Sequence, residues 1–314
     1  MQLNVIVPTY NRHELLKKTL ESLLAAEIPE GLTVSVTVVD NNSSDPTRQT
    51  VEAYQARFAG RLHYLFEKRQ GRSHALNAGI AATDGDLVGM VDDDEEIDKL
   101  WFQKIHETFS GRDIDFMGGP YVPNWGVAPP PWLPPSQKGV IGLADPRTLR
   151  PHPYGTSDAE LLGGNAVISR AMLRKVGLYS PDLGRTGTRE LADEDTDMYL
   201  RLLAAGAKGM YVPELIVHHY IHPSRLTKSY FRRWHFWRGV SSGVLDRRQP
   251  RDTTYLLGVP RYLFGRAVRG SWRILATTAS CKSRPAETFA HELRIWDLAG
   301  FFYGKHFYRA NIDP

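Results

Sequence analysis

The sequence predicts an α/β fold in which helices cover both faces of a mainly parallel sheet. Over residues 1–111, short runs rich in β-branched residues alternate with segments of helical periodicity. This alternation is typical of three-layer α/β domains. The chain has 314 residues, of which 42% are hydrophobic and 24% are charged. Such a composition is globular and allows one large domain, with or without an extension.

Four strands and four helices are predicted in residues 1–111. The strands are expected at 3–9, 33–40, 61–67 and 86–92, and the helices at 11–27, 43–60, 73–82 and 98–111. Asn11 and Glu14 have the spacing of a capping box at the start of the first helix. In parallel sheets of this kind, ligands bind beyond the carboxyl ends of the strands. Asp40 and Asp92 both stand at such ends.

The pattern changes between residues 118 and 135, which are rich in proline and tryptophan. Proline is excluded from helix interiors and central strands, so we expect a long ordered loop here. Trp125 and Trp132 make a substrate-facing loop as credible as a plain surface connection. Beyond it we expect a glycine turn, a strand and a helix over 161–177, a helix over 192–206, and one closing strand over 209–220.

Five consecutive acidic residues, from Asp92 to Glu96, end the strand predicted at 86–92. Ionised carboxylates resist burial and repel one another, so an opposite charge is required, and a divalent cation commonly supplies it. Mg²⁺ and Mn²⁺ prefer oxygen ligands and often share them with substrate phosphates. Asp92 and Asp94 have the spacing to address one such site. Taken alone, the cluster fits a solvated acidic loop better, and Glu95 and Glu96 are interpreted as solvated.

Five further stretches carry side chains suited to a nucleotide sugar. In residues 5–12, 38–45 and 67–80 the candidate contacts are Pro8, Thr9, Tyr10, Asn11, Arg12, Asp40, Asn42, Arg72 and Asn77. Arg72 lies beside a helix start, where backbone amides favour phosphate. The turn in 161–170 adds Gly164 and Asn165, where the backbone could approach a sugar. Residues 193–197 begin a helix with Glu194 and Asp195.

The order and spacing of these six stretches resemble the inverting glycosyltransferases of family 2, which have the GT-A fold. The resemblance implies a nucleoside-diphosphate sugar donor and a divalent metal, Mn²⁺ or Mg²⁺. Asp92, Asp93 and Asp94 match the Asp-x-Asp motif. By that match Asp94 is the metal ligand, Asp92 contacts the ribose or the metal, and Asp93 is counted with the donor contacts. Glu194 and Asp195 match the Glu-Asp pair, which makes Asp195 the implied catalytic base. On position alone Asp195 could equally be a first-turn acid favoured by the helix dipole.

Three histidines, His218, His219 and His222, follow the apolar part of the predicted closing strand. Related enzymes often supply a histidine from this strand end to the metal, and the spacing to Arg225 favours His219. Because adjacent strand residues face opposite ways, only one of His218 and His219 is expected to bind metal. The sequence leaves the choice between them open. Arg225 could reach the diphosphate of the donor.

The C-terminal part of the chain is strongly basic. Residues 225–273 contain twelve Lys or Arg residues and two acids, a net charge of +10 in a chain whose total is +4. We expect a GT-A domain over 1–224 and a helical, basic extension over 225–314. The extension could be a subdomain with solvated arginines or a contact with an anionic membrane surface. No nucleic-acid partner is expected, because no recognised nucleic-acid module accompanies the basic residues.

The resemblance, together with the basic C-terminal part, implies a metal-dependent inverting glycosyltransferase that acts on a glycan or lipid-linked acceptor in cell-surface polysaccharide assembly. UDP is favoured as the nucleotide, with GDP and dTDP open. The alternatives are a non-catalytic nucleotide-sugar-binding or scaffold subunit, and a sugar nucleotidyltransferase, which would need a glycine-rich basic loop after the first strand. The chain has one cysteine, Cys281, no signal-peptide pattern, and no apolar run of the ~20 residues that span a bilayer. We therefore expect a cytoplasmic protein, at most peripheral on the inner face of the plasma membrane.

Overall fold

The computed structural model describes residues 1–142, 150–155, 161–181, 183, 194–248, 250–279 and 284–309. These residues form two compact units. The first unit contains 1–124, 150–155, 161–181 and 194–220, and the second contains 125–142, 183 and the described residues from 221 onward. The predicted functional boundary at 224/225 remains a prediction. Cys281 lies outside the described residues.

Strands and helices are numbered in chain order. The strands are β1 (Gln2–Thr9), β2 (Thr33–Asp40), β3 (Leu62–Phe66), β4 (Leu87–Met90), β5 (Glu95–Ile97), β6 (Phe116–Gly118), β7 (Tyr121–Trp125), β8 (His152–Pro153), β9 (Ala166–Ser169), β10 (Gly209–Tyr211), β11 (Val217–Ile221), β12 (Tyr255–Leu256) and β13 (Val259–Pro260). The helices are α1 (His13–Ala25), α2 (Thr47–Gln55), α3 (Arg72–Ala81), α4 (Trp101–Gly111), α5 (Arg170–Val176), α6 (Glu194–Ala204), α7 (Lys228–Arg248), α8 (Arg261–Ala279) and α9 (Pro285–His306).

The described part of the first unit is built on an eight-stranded sheet with the order β3-β2-β1-β4-β9-β6-β10-β8. β1 pairs in parallel with β2 and β4, β2 with β3, and β6 with β10, whereas β9 is antiparallel to β4 and β6. The predicted α/β fold with a mainly parallel sheet is confirmed. Because β1, β2 and β4 run the same way, their carboxyl ends at Thr9, Asp40 and Met90 lie along one edge.

Apolar side chains cover both faces of this sheet. On one face α1 and α4 pack on β1 through Leu3, Val5, Val7, Leu16, Leu20, Leu23, Trp101, Phe102 and Ile105. On the other face α3 and α6 pack through Ile6, Ala75, Leu76, Ile80, Met198 and Leu202. Successive residues of a strand point to opposite faces, so β1 contributes to both clusters. The sheet is therefore the middle of three layers, as predicted.

The single closing strand predicted over 209–220 is wrong, because the structure has two strands in different sheets. β10 pairs with β6, and β11 pairs with β5 in a second sheet of order β5-β11-β7. Between them the Leu215 amide donates to the Val212 carbonyl, which closes a tight turn around Pro213. Proline has no amide to extend the β10 ladder, so the chain turns there and β11 enters the smaller sheet.

The ordered loop predicted over 118–135 is wrong in its first part. Tyr121–Trp125 is β7, although it contains Pro123. β7 lies at the edge of the smaller sheet, and an edge strand tolerates a residue that cannot donate to the ladder. Further along, Trp132 packs edge-on against Phe231 and Phe289. That side chain is therefore held in a hydrophobic contact within the second unit.

The predicted capping box at the start of α1 is also wrong. α1 begins at His13, and its cap residue Arg12 makes no side-chain capping hydrogen bond. Asn11 precedes the cap in a left-handed conformation with φ of 53°. Its side-chain oxygen accepts from the amide of Ser44, which ties the end of β1 to the loop after β2. Asn11 is thus committed to a loop contact instead of the helix.

In the described part of the second unit, α7 and α9 pack through four glycines. A Cβ on Gly239 or Gly243 would lie 2.5 Å from a carbonyl oxygen of α9, and a Cβ on Gly300 or Gly304 would overlap a carbonyl of α7. The two helices therefore approach backbone to backbone. Helix α8 buries Leu263 and leaves other apolar side chains exposed. Among the described residues, no helix combines the length and the hydropathy needed to cross a membrane.

Candidate functional site

The loop after β4 places Asp93 and Asp94 against the end of β1. The hydroxyl of Thr9 donates to Asp93 Oδ2 at 2.8 Å, and one guanidinium nitrogen of Arg12 lies 3.0 Å from Asp93 Oδ1 and 3.1 Å from Asp94 Oδ2. Asp93 is 4% exposed, and its backbone carbonyl accepts from Thr19. Burial raises the pKa of Asp93 to about 6, even though the charge of Arg12 opposes that shift. Asp93 is therefore held in place by Thr9, Arg12 and Thr19.

Arg72, at the start of α3, joins the acidic loop to the start of α6. Its guanidinium lies 3.0 Å from Asp92 Oδ1, 2.9 Å from Asp195 Oδ1 and 3.5 Å from Glu194 Oε1. Burial disfavours the charge of Arg72, but Asp195, Asp92 and Glu194 outweigh it and raise the pKa of Arg72. One arginine thus joins Asp92 to Glu194 and Asp195, which lie more than a hundred residues further along the chain.

Gly163 and Gly164 leave room for two carboxylates of this site. A Cβ on Gly163 would overlap the carboxylate of Asp195, and a Cβ on Gly164 would overlap that of Glu95. The amide of Gly164 also bonds to the hydroxyl oxygen of Tyr121 at 2.6 Å. The two glycines are therefore required where the backbone passes directly beside two carboxylates.

The interpretation of Glu95 as solvated is wrong, because Glu95 is 1% exposed. It is the first residue of β5, which pairs with β11, and this pairing directs its side chain inward. Glu95 Oε2 accepts from the amide of Asp92 at 2.8 Å, whereas Oε1 has no hydrogen-bond partner among the described residues. Burial, with the charges of Asp92 and Asp94, raises the pKa of Glu95 well above its ordinary value. Glu96 is half-buried and accepts from Asn124.

The structure distinguishes the two adjacent histidines of β11. His219 is 6% exposed, and its Nε2 lies 3.6 Å from Asp94 Oδ1. The amide of Tyr220 donates to the Asp94 carbonyl, which fixes β11 beside the acidic loop. His218 is the neighbour of Glu96 in the ladder and alternates to the opposite face. Of the two, His219 is therefore the one that faces the predicted metal ligand.

Asp94 and His219 fit a hard divalent cation in part. A carboxylate oxygen and an imidazole nitrogen 3.6 Å apart can both turn towards one ion, and the unpartnered Glu95 Oε1 shows unused acceptor capacity nearby. Among the described residues, no three acidic, histidine or cysteine side chains are preassembled around one point. This suits Mg²⁺ or Mn²⁺, which commonly keep few protein ligands and complete their shell with phosphate oxygens and water.

The end of β2 is organised by Asp40 and by Asn41, which the sequence analysis missed. Asp40 is buried and accepts from the amide of Ser43 and the hydroxyl of Tyr64. Asn41 donates to the carbonyls of Glu67 and Arg69 and accepts from the amide of Gly71. Asn41 thereby positions the loop that leads into Arg72. Its signal in the sequence was its place directly after Asp40 at a strand end.

The remaining candidates divide by position. Tyr10, Asn11 and Asn42 are exposed beyond β1 and β2, and Pro8 is buried within β1. Asn77 exchanges two hydrogen bonds with the backbone of Tyr179, and buried Asn165 bonds to Trp101 and to the carbonyls of Pro120 and Leu215. Arg225 belongs to the second unit. The structure thus brings together Thr9, Arg12, Arg72, Asp92, Asp93, Asp94, Gly164, Glu194, Asp195 and His219. It uses Asn77 and Asn165 for internal contacts.

A family model and two curated proteins match most of the region that carries these residues. The model described as glycosyl transferase family 2 matches residues 4–177. A glucosyl-dolichyl phosphate glucuronosyltransferase of Haloferax volcanii is 26% identical over 254 residues, or 80% of this chain and 79% of that protein. The succinoglycan biosynthesis protein ExoM of Rhizobium meliloti is 27% identical over 249 residues, or 78% of this chain and 75% of that protein.

Solved structures share the fold. The mannosyltransferase PcManGT of Pyrobaculum calidifontis, in complex with GDP-Man and Mn²⁺, has a TM-score of 0.62 and 18% identity over 96% of this chain and 86% of that one. GalNAc-T7 with UDP, GalNAc and Mn²⁺ has a TM-score of 0.56 and 18% identity over 80% of this chain and 51% of that one. At these identities the likeness is one of architecture.

Proposed function

The chain belongs to glycosyltransferase family 2, has the GT-A fold and is a glycosyltransferase, and from that premise we propose its reaction. It moves a sugar, with inversion and with the help of a divalent metal, from a nucleoside-diphosphate sugar to a hydroxyl of a glycan or glycolipid. The observation that carries the proposal is the group of carboxylates, Asp92, Glu194 and Asp195, gathered around Arg72. This group stands at the edge of the sheet where α/β domains bind ligands.

Asp195 is the proposed general base. An acceptor hydroxyl is a weak nucleophile and must lose its proton as it attacks the anomeric carbon, and a positioned carboxylate can take that proton. The Asp195 side chain is 29% exposed and is held from one side by Arg72. Glu194 is 4% exposed and supports the same arginine. The accessible carboxylate of Asp195 can thus reach an acceptor hydroxyl, while the buried Glu194 helps to hold the arginine that positions it.

Asp94 and His219 are the proposed metal ligands, and Asp92 serves the ribose or the metal. A bound Mn²⁺ or Mg²⁺ would stabilise the charge that the leaving nucleoside diphosphate gains. Arg72 and Arg12 would contribute positive charge at the same edge. Arg72 can stabilise the negative charge of the leaving diphosphate, because a guanidinium group forms strong hydrogen bonds with phosphate oxygens.

The nucleotide contacts are proposed at the ends of β1 and β2. Tyr10 is 46% exposed and can pack on a flat base, while Asp40 and Asn42 stand at the neighbouring strand end. UDP is the favoured nucleotide. Calorimetric titration of UDP, GDP and dTDP, each with Mn²⁺ and with EDTA, tests this choice. Tight binding of one nucleotide only with metal is expected, and binding of none would contradict the donor site.

The acceptor is proposed to be a growing glycan or a lipid-linked sugar in polysaccharide assembly. One relative is named for a dolichyl phosphate substrate and another for succinoglycan biosynthesis, which supports an acceptor of this class. The basic second unit is proposed to meet an anionic membrane surface, with the enzyme peripheral on the cytoplasmic face. Exposed arginines and apolar side chains of α8 support that contact.

The variant Asp195→Asn tests the catalytic assignment. Removal of a general base is expected to slow transfer by about 100- to 10,000-fold, while metal-dependent nucleotide binding stays close to that of the wild type. Asp197→Asn is the matched control, because Asp197 lies on the same helix but pairs with Arg201 and Ser180. An Asp195→Asn enzyme that retained most of its transfer rate would remove Asp195 from the role of base. A chain that bound nucleotide and metal but never transferred sugar would instead favour a scaffold subunit.

A further inference from the structure

A basic cavity in the second unit lies outside the proposed donor site. It has a volume of about 280 Å³ and is lined by Pro134, Ser136, Arg273, Glu287, His291 and Arg294, among others. These residues come from the segment 134–136, which precedes α7, from α8 and from α9. Three of the lining side chains are basic or can become so. The single acid, Glu287, already pairs with Arg284 at 3.0 Å.

Two arginines line this cavity, and Arg266 and Arg269 of α8 lie close to them. Arg266, Arg269, Arg273 and Arg294 form no ion pair with any described residue. Burial and the charges of Arg266, Arg273 and Arg269 lower the pKa of Arg294, although the charge of Asp297 opposes that shift. Nδ1 of His291 is buried without a hydrogen-bond partner among the described residues. Like charges held together in this way leave donors that an anion can satisfy.

An apolar ridge on α8 runs beside the arginines. Val268, Trp272 and Leu275 are spaced at i, i+4 and i+7, so they share one side of the helix. They are 68%, 72% and 65% exposed. Leu263 and Ala267, by contrast, are buried on the opposite side. Arg269 and Arg273 follow Val268 and Trp272 by one position each, which places the charged row along the flank of the ridge.

We propose that this cavity binds the terminal phosphate of a membrane lipid, while Val268, Trp272 and Leu275 enter the bilayer interface. A phosphate group matches the unpaired guanidinium groups of Arg273 and Arg294, and an acyl or isoprenoid tail matches the ridge. A free anion would need the cavity but not the ridge, and a nucleic acid would not need exposed leucine and valine. The proposal rests on the membrane contact proposed for this unit, and it adds a specific headgroup site.

Vesicle co-sedimentation tests the headgroup site with the full chain at low salt. The vesicles contain phosphatidylcholine alone, or with phosphatidic acid, or with phosphatidylglycerol adjusted to the same surface charge. We expect tighter binding to the vesicles with phosphatidic acid, by about tenfold, because charge-assisted bonds to a terminal phosphate are of that strength. Arg273→Ala and Arg294→Ala should lose this preference. Arg261→Ala removes the same charge from α8 outside the cavity and should keep it.

Several outcomes would overturn the proposal. Equal binding to both anionic vesicles by the wild type would leave only general electrostatic attraction. If free inorganic phosphate saturated the protein and no vesicle bound, the cavity would be assigned to a soluble anion. If a single-stranded oligonucleotide bound as tightly as the vesicles, a lipid would no longer be the favoured ligand. Titration of UDP with Mn²⁺ in the same variants separates this test from the proposed function. The cavity variants should bind UDP and Mn²⁺ as the wild type does. If the wild type itself bound no nucleotide, that result would count against the proposed reaction and not against the cavity.

Discussion

Two arginines neutralise much of the charge of the acidic loop. Arg12 serves Asp93 and Asp94, and Arg72 serves Asp92 and reaches across to Asp195. A diphosphate and a metal would compete with these pairs, since the arginines prefer phosphate oxygens and the metal prefers carboxylates. When donor and metal bind, we therefore expect the arginines to exchange carboxylate partners for phosphate oxygens and the carboxylates to turn towards the metal.

At the residue scale, Asp94→Ala is expected to abolish the metal-dependent part of nucleotide affinity. Loss of one ligand of a hard cation, with the support it gives to His219, should weaken nucleotide binding in Mn²⁺ by about 10- to 100-fold. Calorimetric titration with Mn²⁺ and with EDTA measures the effect. Glu96→Ala is the control, because Glu96 belongs to the same acidic run but bonds to Asn124. Equal affinities for wild type and Asp94→Ala, with and without metal, would contradict the assignment.

The sequence predicted several side chains at this edge of the sheet, but not the side chains that hold them in place. Strand ends, an Asp-x-Asp triplet and a Glu-Asp pair are local patterns, and they led to Asp92, Asp94 and Asp195. The roles of Asn41 and Glu95 depend on which loop lies opposite, and no local pattern records that. The partners of Asn165, the distant Trp101 and two backbone carbonyls, are likewise not recorded by any local pattern.

At the scale of elements, the best predicted parts were those with strong periodicity. β1, β2 and β3 and helices α3, α4 and α6 lie close to their expected ranges, because burial on a sheet face sets their pattern. β7 and β11 were not separated from their surroundings. Pro123 is compatible with an edge strand, and the turn at Val212–Leu215 moves the chain to another sheet. Both features follow from tertiary pairing.

The glycine contact between α7 and α9 predicts a large effect of a small substitution. Gly300→Ala would force a methyl group into the backbone of α7, and overpacking of this kind costs about 1–3 kcal/mol. Urea unfolding measures the change. Gly265→Ala is the control: it lies in α8, where its Cβ would meet only the movable end of Arg269, so a gain in helix propensity is expected. A Gly300→Ala protein as stable as the control would show that α7 and α9 can separate without cost.

The buried pair of His235 and Asp297 predicts a loss of stability in acid. Burial lowers the pKa of His235 from 6.5, and the hydrogen bond from His235 with the charge of Arg238 lowers that of Asp297 despite its burial. Both groups bind protons more readily when unfolded, so their contribution is present at neutral pH and declines as the pH falls through 6.5 and then through 3.8.

The test of this pair compares urea unfolding at about pH 7.5 and about pH 5.5. His235→Asn can still form hydrogen bonds but does not titrate, so its stability should change less between the two conditions than that of the wild type. His222→Asn reports the effect of removing an exposed histidine. An equal change in the wild type and in His235→Asn would exclude His235 as the source.

At the scale of the whole molecule, charge and ligand binding divide between the two units. The proposed donor site belongs to the first unit, and the basic segment of residues 225–273 belongs to the second. This asymmetry was evident from the sequence. Which side of α8 is buried was not evident, because it depends on tertiary contacts. The split of the first unit into non-contiguous segments likewise depends on tertiary contacts.

Nucleotide and metal together are expected to stabilise the folded chain. A ligand that binds only the folded state at a hundred times its dissociation constant adds about 2.7 kcal/mol, which should raise the thermal midpoint. UDP with EDTA is the control, and the favoured nucleotide should raise the midpoint only when Mn²⁺ is present. An equal rise with EDTA would show binding that does not depend on the metal.

The place of β9 in the sheet also bears on how the chain folds as it is synthesised. β6 has β9 and β10 as its sheet neighbours, and both follow it in the sequence, while β4 pairs with β1 and β9. A nascent chain that has not yet released residues 166–169 from the ribosome therefore carries one open strand edge at β4 and has no partner for β6. Such edges invite pairing with other chains. The antiparallel strand β9 completes the sheet only late in synthesis. Until β9 and β10 have been synthesised, we expect the emerging polypeptide to depend on a chaperone, or on rapid synthesis, to protect these edges.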